Sequence, residues 1–251
     1  MHRLTGMIAA VGLLAAMCAG ASAQEGNPAW SYEGKTGPFN WSRLDPAYKA
    51  CSAGKEQSPI DISGAHLNKA LQPIEFHYIS GGMTLVNNGH TVQVTPPAGS
   101  YIVVNGTRYD LVQFHFNHPG EDAVKGKLPD MSLHLIHKSA GGKFVGIAVR
   151  LNEGNGNAVL ASLWQHLPKT PGATDKTTES MSPAGLLPTD RGYWTYTGSL
   201  TVPPCTEGVQ WFVFRQQVEL SRDQLRAFAA LYKVNSRMLQ APHGRKIEAS
   251  Q

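Results

Sequence analysis

From Tyr109 to Asn117 the chain alternates, and an extended backbone places Val112, Phe114 and Phe116 on one side and Gln113, His115 and Asn117 on the other. An apolar row backed by a polar row constrains the fold more than any other feature of the chain. One side rests on a core, and the other meets either solvent or a polar site. Met131–Lys138 repeats the arrangement, with His134 facing opposite to Leu133 and Leu135. Further alternating segments run over His90–Thr95, Tyr101–Asn105, Phe144–Leu151 and Val209–Val218. Turn-forming pairs (Gly81-Gly82, Asn88-Gly89, Asn105-Gly106 and Gly141-Gly142) lie between them. The pattern predicts a mainly β protein, a single domain with a large, largely antiparallel central sheet. Two helices are expected at its periphery. Leu160, Leu163, Trp164 and Leu167 fall at helical spacing before Pro168, and Ser221 with Gln224 forms a capping box ahead of Leu225, Phe228 and Leu231.

The chain has 251 residues, with 22 Lys+Arg against 18 Asp+Glu and a net charge of +4. These charges are scattered, so nothing suggests a nucleic-acid footprint, and small molecules are the expected partners. No long apolar run occurs after the N-terminus, which excludes a polytopic membrane protein. The N-terminus itself reads as a secretory signal. Arg3 precedes an apolar stretch from Met7 to Ala19, and Ala21-Ser22-Ala23 supplies the small-x-small pattern cut by signal peptidase. Residues 1–23 are the expected signal peptide and 24–251 the mature domain, periplasmic or secreted and free of the membrane after cleavage. Met17 before Cys18 argues against a lipoprotein. Cleavage leaves Cys51 and Cys205, which in an oxidising compartment are a candidate disulfide; two buried free thiols are the alternative.

The polar rows carry the chemistry. Two neighbouring strands bring His115 and His134 together, and imidazoles held rigidly on adjacent strands suit a zinc ion. A structural pair of histidines is the plainer account of the same spacing.

Longer phrases then decide the family. Trp30-Ser31-Tyr32-Glu33-Gly34, Gly54-Lys55-Glu56-Gln57-Ser58-Pro59-Ile60-Asp61-Ile62, Asn87-Asn88-Gly89-His90-Thr91-Val92-Gln93-Val94, Gln113-Phe114-His115-Phe116 and His134-Leu135-Ile136-His137 occur in order. Tyr193-Trp194-Thr195-Tyr196, Gly198-Ser199-Leu200-Thr201 and Pro203-Pro204-Cys205, leading to Trp211, complete the series. From about Trp30 to Ile247 the chain resembles the α-class carbonic anhydrases, particularly the exported bacterial ones. The resemblance implies a zinc lyase that converts carbon dioxide and water to bicarbonate and a proton, with zinc-bound hydroxide as the nucleophile. It implies that His90 carries the proton away. Thr201 and Glu121 match the pair that orients the nucleophile, an ionised Glu accepting from the Thr hydroxyl. Gln113 matches the amide that steadies the first histidine. Ile136, Phe144, Leu200, Val202, Val209 and Trp211 match the apolar pocket for carbon dioxide.

Three departures stand at that site. The family presents His-x-His on the first strand, and here Asn117 takes the place of the second imidazole, leaving His115, His134 and Asn117 as the expected zinc donors. A carbonyl oxygen is a poorer zinc donor than imidazole, so the expected affinity is weakened. Ser132 replaces the Glu that usually supports the third histidine, and Phe144 replaces a small residue of the pocket. His118 reaches the site only through a bulge, since it lies three residues from His115, and His137 is expected to be structural. Two functions follow from this set: an impaired carbonic anhydrase, or an exported binding or structural protein that keeps the fold without the reaction.

Overall fold

The structure, a computed structural model, describes residues 29–251. The expected signal peptide, with Cys18, lies outside the described residues. A sheet of 13 strands dominates. Along its centre run Thr84–Asn87, Val92–Thr95, Thr107–Asn117, Met131–Lys138, Phe144–Glu153, Glu207–Phe214 and Tyr193–Ser199, in that spatial order. The expected antiparallel pairing holds for most neighbours. The exceptions make the sheet mixed: Phe144–Glu153 pairs in parallel with both Glu207–Phe214 and Val218–Leu220, and Glu248–Ala249 pairs in parallel with His66–Leu67. The segment anticipated as one strand from Val209 to Val218 is therefore two.

Both faces of the sheet are covered. Phe114, Phe116, Leu133, Leu135, Ile147 and Phe212 point into the larger core, where Leu160, Leu163 and Phe228 of the helices meet them. Ile136, Ala148, Val209, Trp211 and Val213 point to the other face, into a smaller core with Ile60 and Tyr196. Double coverage explains why every residue of Met131–Lys138 except the last is buried.

The alternation of the His115 strand carries one error of reading. Its register against Met131–Lys138 slips between Leu111 and Gln113, so Leu111 and not Val112 continues the buried row of Phe114 and Phe116. Val112 is left 47 % exposed. An extra residue in one strand redirects the side chains before it, and sequence periodicity does not register such a bulge.

Helix Ala158–Gln165 starts from Asn157, whose side chain accepts from Leu160 N, and gives way at His166 before the expected end. Helix Arg222–Leu231 opens on the expected capping box between Ser221 and Gln224. Trp164 Nε1 donates to Gln224 O at 2.8 Å and ties the two helices together. Cys51 and Cys205 are bonded across 154 residues of chain, in a cluster with Trp41 and Tyr48.

Candidate functional site

His115 and His134 are direct cross-strand partners in the sheet. Their rings lie 5.4 Å apart, centroid to centroid, and nearly perpendicular at 86°. Gln113, two residues before His115 on the same face, meets its Nδ1 through Oε1 at 3.0 Å. A carbonyl oxygen only accepts, so Nδ1 carries the hydrogen and Nε2 keeps its lone pair. Burial depresses both imidazoles, His115 to about 4 and His134 well below its ordinary value, with His115 adding repulsion to His134. Both rings are therefore neutral at pH 7, the form that binds a metal.

A cavity of about 230 Å³ opens over these rings. Its polar side is Gln113, His115, His134 and Thr201; its apolar side is Ile136, Phe144, Leu200, Val202 and Trp211, with Val112 added by the bulge. Val209, expected in the pocket, is not part of this lining: it is buried in the apolar cluster with Trp211 and Tyr196. Trp211 packs 4.7 Å from the His134 ring. Phe144 occupies the cavity wall, with Lys138 Nζ 5.2 Å over its ring.

Asn117 and Glu121 are buried outside the cavity lining. Asn117 Nδ2 donates to Asn235 O at 2.7 Å, and Oδ1 has no partner. Ser132, the cross-strand neighbour of Asn117, accepts from Glu121 N at 2.6 Å and gives nothing to His134. Both ring nitrogens of His134 consequently lack hydrogen bonds; the nearest carboxylate atom, Glu121 Oε2, stands 3.7 Å from Nδ1. Glu121 Oε1 accepts from Arg237 N at 2.8 Å. Burial pushes the Glu121 carboxyl up to about 8, opposed by the Arg237 N–H and by the nearby Thr201 hydroxyl. In the metal-free protein desolvation thus favours the protonated carboxyl over the ionised form that the resemblance implies.

The remaining histidines are separated from the pair. His90 stacks on Trp30, with rings 3.7 Å apart and 6° from parallel, and is not part of the cavity lining. Burial lowers its affinity for a proton. His118 turns to Lys233 O, 2.9 Å from its Nδ1, and supplies no donor to the site. His137 is fully buried against Tyr78, whose hydroxyl meets its Nε2 at 2.8 Å, and burial depresses it to about 3.

Among the described residues, no three His, Cys, Asp or Glu side chains are placed to hold a metal. The donor set available is two neutral imidazoles and one carbonyl oxygen. One ring nitrogen of His134 and the unpaired Asn117 Oδ1 are buried acceptors that a cation would satisfy, and nitrogen and oxygen donors of this kind are chemically suited to zinc. Asn235 and Arg237, which hold Asn117 and Glu121, have no motif that marks them in the sequence; they reach the site through the return of the chain after the second helix.

Comparison with known proteins places this geometry among relatives. The family model described as eukaryotic-type carbonic anhydrase matches residues 36–251. A carbonic anhydrase of Klebsiella pneumoniae is 41 % identical over 221 residues, 87 % of this chain and 89 % of that protein. One from Pectobacterium atrosepticum is 35 % identical over 238 residues, 94 % of this chain and 97 % of that protein. The α-carbonic anhydrase of Thermovibrio ammonificans, solved with the inhibitor sulfanilamide, superposes with a TM-score of 0.86 at 39 % identity and covers 90 % of this chain and all of its own.

Proposed function

Because the chain belongs to the eukaryotic-type, or α, carbonic anhydrase family, we propose that it hydrates carbon dioxide reversibly, with His115, His134 and Asn117 as zinc donors. Conversion of carbon dioxide to bicarbonate and a proton is the reaction that family membership assigns. The observation that carries the reading is the cross-strand pair of neutral imidazoles beneath an apolar-walled cavity. When bound, zinc supplies the Lewis acidity that ionises water near pH 7, a behaviour established for this family.

The chain's own residues do the rest. Gln113 Oε1 holds the Nδ1 hydrogen of His115 and so keeps Nε2 directed to the cavity as a base. Ile136, Leu200, Val202 and Trp211 exclude water from the space that carbon dioxide enters. The Thr201 hydroxyl borders the same space and, beside Glu121, orients the attacking oxygen through its lone pair. His90, half-buried and neutral at pH 7, accepts the released proton on its imidazole and passes it to solvent. Asn117 in place of an imidazole weakens the metal site, and Phe144 narrows the pocket.

The decisive experiment is the carbon dioxide hydration rate of the mature protein reconstituted with excess zinc, before and after chelation. A chelator-sensitive rate supports the proposal. A rate equal to background in both samples supports the second reading, an exported binding or structural protein. That reading is favoured by Phe144 in the cavity wall and by the unsupported His134.

We propose further that residues 1–23 are removed on export, leaving 24–251 as the periplasmic or secreted domain. The Cys51–Cys205 bond fits an oxidising compartment, and no helix among the described residues is long and apolar enough to cross a membrane. N-terminal sequencing of the exported protein tests this; an intact Met1 would refute it.

A further inference from the structure

The short strands Asp61–Ile62 and Ala123–Val124 pair in parallel as a separate two-stranded sheet. Between them and Trp194 of the large sheet lies a groove of about 390 Å³, which shares no residue with the cavity over the imidazole pair. Ile62, Ala65, Val124 and the Trp194 indole make its lining apolar; Lys125 and Arg215 add two cations, and no carboxylate lines it. Neither cation is neutralised within the protein. The ion pairs among the described residues all join other side chains. The hydrogen bonds of Arg215 are those of its main chain, to Gly192 O and from Arg150. Its guanidinium lies against the main chain of Gly192, where a Cβ would stand 2.7 Å from Nε and 2.8 Å from Cζ, so a larger residue there would displace it.

The other positive groups nearby are already used. Arg150, 5.2 Å over the Trp194 ring, donates to the carbonyls of Phe214 and Arg215. In the adjoining groove, which shares Ser63 and Gly64, Arg245 donates to the carbonyls of Gln57, Thr197, Ala241 and Pro242. Lys246 there pairs with Glu248, and the Asp61 carboxylate accepts from Gly126 N.

We propose that the groove between Trp194 and Arg215 is a second ligand site, for a small organic carboxylate with a planar apolar body. A carboxylate takes two parallel N–H bonds from a guanidinium and a further one from an ammonium, which matches Arg215 and Lys125. The indole and the aliphatic side chains then cover the body of the ligand. An inorganic oxyanion would satisfy the cations and leave the apolar lining wet. A long polyanion would find no free cation in the adjoining groove. The site needs no metal and is independent of the proposed hydration chemistry.

Naphthalene-2-carboxylate, titrated into chelator-treated mature protein by calorimetry, is the test. One equivalent is expected to bind, with a shift of the Trp194 Nε1–H resonance. Arg215→Gln is expected to weaken binding by about tenfold or more, because charge-assisted hydrogen bonds are lost. Gly192→Ala should have a similar effect although it keeps every charge. Acetate and inorganic phosphate, which lack the apolar body, are each expected to bind at least about tenfold more weakly. Equal affinity in wild type, Arg215→Gln and Gly192→Ala overturns the proposal, as does movement of the His115 and His134 resonances with Trp194 unmoved. Phosphate binding as tightly as the naphthoate overturns it in favour of a plain oxyanion site, and no binding at millimolar concentration overturns it outright. Should Arg215→Gln not fold, Lys125→Gln decides: Lys125 is exposed, and its loss is expected to weaken binding by about threefold. An unchanged affinity in that variant overturns the proposal.

Discussion

His115 and His134 face one another across adjacent antiparallel strands, ring centroids 5.4 Å apart. Neither ring reached this position by local preference. Each lies on a strand whose apolar residues are committed to the larger core, and the pleat then fixes the opposite face for the imidazoles. Rigid strands hold the pair in a fixed geometry, and under the proposed function the neighbours Asn117 and Ser132 are where metal affinity is to be tested.

Asn117→His restores a third imidazole on the same face of the strand. Zinc affinity is expected to rise by about tenfold or more, since even an outer partner of a ligand is worth that much. Chelator competition measures it, and an unchanged affinity would place the weakness elsewhere.

Phe144→Val enlarges the cavity of about 230 Å³ that Phe144 lines. At fixed zinc content, kcat/KM for carbon dioxide is expected to rise by about tenfold, the lower range of what a misfitting group costs in an apolar pocket. No change would show that the ring does not obstruct the substrate.

His90→Ala removes the ring stacked on Trp30. Turnover in dilute buffer is expected to slow by about a hundredfold, and added imidazole to restore it. A slow variant that imidazole does not rescue would make His90 a structural residue of its turn.

Glu121 gives the metal-free protein a pH signature. Its folded pKa of about 8 stands above its ordinary 4.5, so its stabilising share is complete below pH 4.5 and is lost as pH rises to 8. Buried His115, depressed from 6.5 to about 4, acts in the opposite sense and only below pH 6.5. Between pH 6.5 and 8 the Glu121 slope dominates and amounts to about 2 kcal/mol. Urea unfolding at several pH values should show the decline in wild type and its absence in Glu121→Gln.

The Cys51–Cys205 bond closes a loop of 154 residues, worth about 5 kcal/mol on the chain-entropy account. Reduction is expected to lower the unfolding midpoint accordingly. Intact mass before and after reduction shows whether the bond is present in the purified protein.

The sequence by itself determined the mainly β fold, the opposite facing of His134 and its leucine neighbours, both long helices and the identity of the imidazole pair. These follow from periods of two and 3.6 and from side-chain capping, which act over a few residues. The reading of Asn117 as a departure from the family pattern rests on its flanking phrases and belongs to the proposed function. Only the tertiary structure decided the rest. The slip that moves Val112 out of the apolar row depends on the neighbouring strand, and the protonation of Glu121 depends on how completely the surrounding chain removes water. The direction of the Asn117 amide is set by Asn235, 118 residues away. A pattern reports which face a side chain takes, whereas its hydrogen-bond partners and its charge are set by whatever distant segment comes to lie against it.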